Sequence, residues 1–219
     1  MSLTLTAADG HVSGAYLAEP DGTPIGSLVV VQEIFGVNRH IRRVCDAWAK
    51  AGYRALAPAL FDRVRPGVEL GYTPDGIKQG REIRAEVPLE GALADLAAAI
   101  AYLRPAKVGV IGYCWGGTLA WLAASRLGAD AAVGYYGGQI AAFGAEAPKC
   151  PVILHFGEQD GSIPMADVTL IRSKHPMLPV YVYPAGHGFN CDERDHYEPG
   201  SAKLAWTRSD QFLRAALAE

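Results

Sequence analysis

The sequence lacks the features of several protein classes. Its four cysteines form neither a CxxC motif nor a compact framework, which argues against a disulfide scaffold. No apolar run is long enough to span a bilayer, and Asp95 interrupts the Ala-rich segment 92–103. Its 20 Lys and Arg residues are outnumbered by 23 Asp and Glu and are scattered, so no nucleic-acid partner is expected. The first residues show no export signal, so we expect a cytoplasmic protein with reduced thiols and no membrane partner.

Length and composition are those of a globular protein. The chain has 219 residues, of which 50% are hydrophobic and 20% charged, with a net charge of −3. A single domain covering residues 1–219 would bury about 70% of the surface of the extended chain, so it needs no disulfide or metal to be stable. We expect a monomer or weak homo-oligomer.

Strand-like and helix-like segments alternate along the chain. Short runs rich in β-branched residues predict buried strands at 27–32, 53–57, 107–112, 131–135, 151–156 and 179–183. Segments of helical length and period lie at 38–50, 90–103, 117–127, 165–173 and 201–217. Runs at 3–6 and 14–18 predict an N-terminal antiparallel hairpin. The alternation predicts an α/β fold with a mostly parallel central sheet and helices on both faces.

One stretch, residues 62–87, breaks this alternation. Prolines and glycines interrupt any period there, at positions 66, 67, 71, 74, 76 and 80. The stretch is too short for a domain and too long for an ordinary connection. We therefore predict an irregular excursion near the ligand site.

The most informative motif is Gly112-Tyr113-Cys114-Trp115-Gly116-Gly117, which follows a predicted strand and opens a predicted helix. It has the G-x-S-x-G pattern of a nucleophile elbow, with cysteine in place of serine. A cysteine at a helix N-terminus is favoured as the thiolate. The motif predicts Cys114 as a nucleophile, whereas Cys45 and Cys150 have no such context and are predicted to be structural.

A nucleophile of this kind needs a base and a group that orients the base. Downstream in the expected order come the turn 158–164, with Asp160 and its rival Glu158, and then His187 between two glycines. His187 is the predicted base and Asp160 its predicted orienting carboxylate. His155 lies inside a predicted strand, which is typical of a packed neutral imidazole.

Glu33 ends a predicted buried strand beside a glycine turn, where a carboxylate is costly unless it has a partner. In an α/β-hydrolase this loop supplies one oxyanion-hole N–H, and the residue after the nucleophile supplies the other. The predicted donors are therefore the backbones of Ile34 and Trp115. Glu33 is a further catalytic candidate, with an exposed loop glutamate as the alternative.

Five segments together resemble the dienelactone hydrolase (carboxymethylenebutenolidase) family: residues 32–38, 112–117, 133–137, 157–160 and 185–189. The resemblance covers nearly the whole chain. It implies one α/β-hydrolase domain without a cofactor, and a Cys-His-Asp triad matched by Cys114, His187 and Asp160. It also implies that Glu33 helps to deprotonate the cysteine when substrate arrives. The implied reaction is the opening of an enol-lactone, a small-molecule substrate.

The resemblance further implies two arginines that bind the carboxylate of the substrate. Cys191 stands where one of them is expected, while Lys78, Arg81 and Arg84 are all candidates for the other. The substrate-binding candidates are Phe35, Arg81, Tyr136 and Phe189. Three alternatives remain open: a broad carboxylesterase or thioesterase, a binding module with an inert Cys114, and a metal site at residues 187, 191, 192 and 196.

Overall fold

A computed structural model describes residues 3–217 of the chain. Contacts between Cα atoms divide the chain into two compact units, Met1–Gly109 and Val110–Glu219. In both units the strands bury apolar side chains against helices.

The first unit contains the predicted N-terminal hairpin. Its elements are β1 (Leu3–Thr6), β2 (Val12–Ala18), β3 (Ser27–Val31), α1 (Arg39–Lys50), β4 (Arg54–Pro58), a 3-10 turn (Leu60–Arg63), α2 (Pro74–Glu86) and α3 (Leu89–Leu103). The strands lie in the order β1-β2-β4-β3, antiparallel except for the parallel pair β3–β4. Every residue of β3 is buried, as expected for a strand covered on both faces, and α1 and α3 both pack against it.

The second unit carries parallel strands that end in loops. Strand β5 (Val108–Tyr113) runs across the unit boundary and leads into α4 (Trp115–Leu122). The other elements are β6 (Ala131–Tyr135), β7 (Val152–Gly157), α5 (Met165–Lys174), β8 (Val180–Tyr183) and α6 (Pro199–Leu217). The pairs β6–β7 and β7–β8 are parallel, and α4 and α6 pack on β6. The α/β class, the mostly parallel strands and the hairpin confirm the predicted architecture.

The predicted irregular stretch 62–87 is wrong in its second half, which forms α2. Thr73 caps this helix by accepting a hydrogen bond from the Gly76 N–H at 3.1 Å, and Pro74 occupies its first position. A Cβ at Gly80 would lie 1.9 Å from the Ile34 carbonyl oxygen. The glycines that argued against a helix are therefore needed for its close approach to neighbouring backbone.

The helix predicted at 117–127 starts earlier and changes from an α-helix to a π-helix. It begins at Trp115, and its last turn, Ala123–Leu127, is a π-helix that ends at the left-handed Gly128 with φ 69°. Among residues 3–217, no helix has both the length and the apolar character needed to cross a membrane.

Candidate active site

Cys114 sits in a tight turn between β5 and α4. Its φ of 56° and ψ of −116° are strained for a residue with a side chain. The turn is held by hydrogen bonds from the Cys114 N–H to the Tyr135 carbonyl at 3.0 Å and from the Gly117 N–H to the Cys114 carbonyl at 3.0 Å. A Cβ at Gly112 would lie 1.9 Å from the Gly116 carbonyl oxygen, so only glycine fits there. Trp115 is the first helical residue, and the N–H of that position has no acceptor within its own helix.

The three predicted triad residues lie within hydrogen-bond reach of one another. The His187 Nδ1 is 2.7 Å from Asp160 Oδ2, and its Nε2 is 3.1 Å from the Cys114 Sγ. The other oxygen of Asp160 accepts the Ser162 N–H at 2.8 Å. The buried carboxylate therefore orients the imidazole, which in turn reaches the sulfur.

The imidazole of His187 is held in a strongly basic state. Burial alone would lower the pKa of His187, but the hydrogen bonds to Asp160 and Cys114 outweigh it and raise the pKa to about 10. Its side chain is 15% exposed, while that of Asp160 is fully buried. The contacts with Asp160 and Cys114 therefore favour the protonated form of His187.

Backbone hydrogen bonds bring the Asp160 and His187 loops together. The Glu158 N–H donates to the Tyr183 carbonyl at 2.8 Å, and the Gln159 N–H donates to the Ala185 carbonyl at 2.9 Å. Glu158 itself is exposed, whereas the carboxylate of Asp160 is the one that contacts the imidazole of His187. Within residues 3–217, the four side chains of the alternative metal site do not form a ligand cluster.

Glu33 is buried at the end of β3, only 1% exposed. Its carboxylate accepts a hydrogen bond from the Tyr72 hydroxyl at 2.9 Å. The Tyr72 ring also packs on Phe35, with centroids 4.4 Å apart. The exposed-glutamate alternative is therefore wrong. Sequence reasoning missed Tyr72, because a lone aromatic in an irregular stretch carries no signal of its partner.

The predicted basic candidates all lie on α2. Lys78 and Arg81 are exposed, whereas Arg84 is half-buried. Arg84 follows Gly80 by four residues and so shares the helix face that contacts Ile34, which is itself half-buried. The structure therefore places Arg84, rather than Arg81, on the inner face of this helix.

The aromatic candidates of the second unit are packed together. Tyr136 and Phe189 are fully buried with ring centroids 5.5 Å apart, and the Tyr136 ring is 5.1 Å from that of His187. Phe189 also contacts Tyr135 and Tyr183, so it belongs to an aromatic cluster.

A buried polar network lies under the same loops. His155 of β7 contacts the Tyr183 hydroxyl through Nδ1 at 2.8 Å and the Ser209 hydroxyl through Nε2 at 3.0 Å. Ser209 is also 2.8 Å from the Tyr135 hydroxyl. The network joins α6 to three strands that lead into the site. The sequence predicted the packed imidazole but not its partners, which are distant along the chain.

Comparisons with known proteins show the family of this chain. Residues 13–217 match the dienelactone hydrolase family. A carboxymethylenebutenolidase of Pseudomonas putida is 35% identical, with 96% of this chain and 94% of the relative aligned. A Synechocystis protein provisionally given the same name is 38% identical, with 92% of this chain and 91% of the relative aligned.

The fold matches a crystal structure from Klebsiella pneumoniae subsp. pneumoniae, provisionally named a dienelactone hydrolase. The TM-score is 0.81 at 30% identity, and the match covers 95% of this chain and 96% of the other. The chain therefore has the α/β-hydrolase fold, belongs to the dienelactone hydrolase family and is a carboxylic ester hydrolase.

Proposed function

We propose that this hydrolase opens an activated enol-lactone or enol ester of the dienelactone type through an acyl-enzyme on Cys114. The observation that supports this most directly is His187, with Asp160 at 2.7 Å on one nitrogen and the Cys114 sulfur at 3.1 Å on the other. An imidazolium in that position favours a thiolate, the reactive form of cysteine.

In the proposed reaction, the thiolate attacks the carbonyl carbon and the carbonyl oxygen becomes an oxyanion. The Trp115 N–H at the start of α4 is the proposed donor from this unit, and one such donor contributes about 3 kcal/mol. The C–O bond then breaks, and His187 gives its proton to the leaving oxygen. Ile34 as the second donor and Glu33 as a helper of thiolate formation remain predictions.

A thiol nucleophile restricts the substrates that react. Thiolate is a good leaving group, so an alkyl ester or amide would tend to expel Cys114 and return to substrate. An enolate, phenolate or thiolate leaving group competes successfully with it. We therefore propose enol-lactones, enol esters and aryl esters rather than peptides or triglycerides.

Two half-buried thiols of this chain provide a matched test. Burial and the nearby Asp130 raise the pKa of Cys150 to about 11. At pH 7 iodoacetamide should therefore alkylate Cys114 more than about 100-fold faster than Cys150. His187→Asn should slow the alkylation of Cys114, because it removes the imidazolium, and should leave that of Cys150 unchanged.

The catalytic part of the proposal is tested by the acyl-enzyme itself. We expect mass spectrometry of protein mixed with p-nitrophenyl acetate to show one acetyl group on Cys114. Cys150→Ser should keep the adduct and Cys114→Ser should lose the thioester. Equal alkylation of the two thiols, or acetylation elsewhere, would contradict the proposal. Faster turnover of a carboxylated enol-lactone than of the acetate would support the dienelactone type over a broad esterase.

A further inference from the structure

Tyr136 has a backbone conformation that its side chain disfavours. It is fully buried and has a φ of 38°, in the left-handed region that favours glycine and asparagine. Such a conformation is disfavoured and persists only where the surroundings impose it. It follows that packing around residue 136 holds the tyrosine in place against its own preference.

Three contacts impose this conformation. The Tyr136 N–H donates to the His155 carbonyl at 2.7 Å, and the preceding carbonyl, of Tyr135, accepts the Cys114 N–H at 3.0 Å. On the other side, a Cβ at Gly137 would lie 2.8 Å from backbone atoms of Gly117 and Thr118. Residue 136 is thus fixed between β7 and the turn that carries the nucleophile.

The strained backbone places the Tyr136 ring against the catalytic base. Its centroid lies 5.1 Å from the imidazole of His187 at an interplanar angle of 60°. Phe189 supports the tyrosine from another side, with centroids 5.5 Å apart. The contacts that restrain the imidazole include Asp160 at Nδ1, the sulfur at Nε2 and the Tyr136 ring.

These restraints do not all survive the proposed reaction. In the acyl-enzyme the sulfur is part of a thioester, so it no longer attracts the imidazole as a thiolate does. Asp160 holds one nitrogen only and allows the ring to swing about that contact. The contact between the Tyr136 ring and the imidazole, in contrast, does not depend on the state of the sulfur.

We propose that Tyr136 is a positioning residue that keeps His187 in place during hydrolysis of the acyl-enzyme; this rests on the proposed function. In that step the water oxygen bonds to the thioester carbon while His187 Nε2 takes a proton from the water. The C–S bond then breaks, Cys114 leaves as the thiolate and the acid product departs. The imidazolium and the thiolate restore the starting pair.

The test separates the two halves of the reaction. Rapid mixing with p-nitrophenyl acetate gives the acylation rate from the burst of p-nitrophenolate, and the later steady state gives the deacylation rate. In Tyr136→Leu we expect deacylation to slow by at least about tenfold, because small misplacements of a catalytic group cost that much or more. Acylation should change by less than about threefold, because the thiolate still holds the imidazole.

Matched variants distinguish positioning from loss of stability. Tyr136→Phe keeps the ring and should restore the ratio of the two rates to within about twofold. Tyr53→Leu removes a tyrosine that is equally buried and should leave that ratio unchanged. If Tyr136→Leu does not fold, Tyr136→Asn is the second ring-less variant, because asparagine tolerates the left-handed backbone.

Two outcomes would overturn the inference in different ways. Equal slowing of both rates, or no slowing, in the ring-less variant would refute the role of Tyr136 while the acyl-enzyme stands. Absence of a burst and of an acetyl adduct in the parent enzyme would refute the proposed function and this inference with it.

Discussion

Acid should destabilise this protein through one buried imidazole, that of His155. Burial, and then the positive charge of Arg208, lower the pKa of His155 to about 3. Arg208 donates to the Tyr183 hydroxyl at 3.1 Å, and the oxygen of that hydroxyl lies 2.8 Å from Nδ1 of His155. The guanidinium charge is therefore close to the imidazole and disfavours a second positive charge there.

The stability of the fold depends on pH because the pKa of His155 differs between the unfolded and the folded state. In the unfolded chain a histidine has a pKa of about 6.5. As the pH falls, the imidazole is therefore protonated in the unfolded state while it stays neutral in the folded state. The contribution to stability is complete above pH 6.5 and is lost progressively down to pH 3, the region of the folded pKa. At about 1.4 kcal/mol per pH unit, the loss is about 2 kcal/mol at pH 5 and about 3 kcal/mol at pH 4.

The assay is urea unfolding at several pH values between 7.5 and 4, for the parent and for His155→Gln. Glutamine keeps a donor and an acceptor but does not titrate, so the difference between the two isolates the imidazole. We expect the stability advantage of the parent to shrink by about 2 kcal/mol between pH 7.5 and 5. His196→Gln, which removes an exposed histidine, controls for the loss of one imidazole. Parallel curves for the parent and His155→Gln would refute the reasoning.

Two further substitutions each test one polar contact, the first in the second unit and the other in the first unit. Asp160→Asn should lower the pKa of His187 from about 10, because it removes the carboxylate acceptor of Nδ1. By analogy with serine hydrolases it should lower kcat by about 10⁴-fold, measured as ester turnover across pH; a loss below tenfold would contradict the assignment. Arg63 binds both oxygens of the buried Asp95, at 2.7 and 2.8 Å. Arg63→Met should therefore cost about 3–5 kcal/mol in urea unfolding, and adding Asp95→Leu should recover part of it; no recovery would show that the buried charge is not the cause.

Local patterns in the sequence were sufficient for much of the architecture. Short β-branched runs separated by turn residues predicted the strands, because a buried strand needs continuous apolar side chains. The glycines around Cys114 identified the strained turn, since only residues without a Cβ allow the backbone contact at Gly112. The order of nucleophile, acid and histidine in an α/β-hydrolase then pointed to Asp160 and His187.

Local patterns did not predict the features that depend on a contact with a residue distant in the chain. Gly80 lowers helix propensity, yet α2 forms because that glycine lies against the Ile34 carbonyl, a contact that no local pattern reveals. Glu158 and Asp160 occupy one polar turn and look equivalent in sequence. The hydrogen bonds between their loop and residues 183–185 decide that Asp160 is the one turned inward.

The sequence by itself determined the family, the order of the strands and of the helices other than α2, and the identities of Cys114, Asp160 and His187 as candidates. Only the tertiary structure brought these three side chains within hydrogen-bond reach of one another. It also decided that Tyr72 meets Glu33, that Tyr136 rests on His187, and that His155 joins strands to α6. The physical reason is that these contacts join residues far apart in the chain, so they depend on how the elements pack rather than on any periodicity within them.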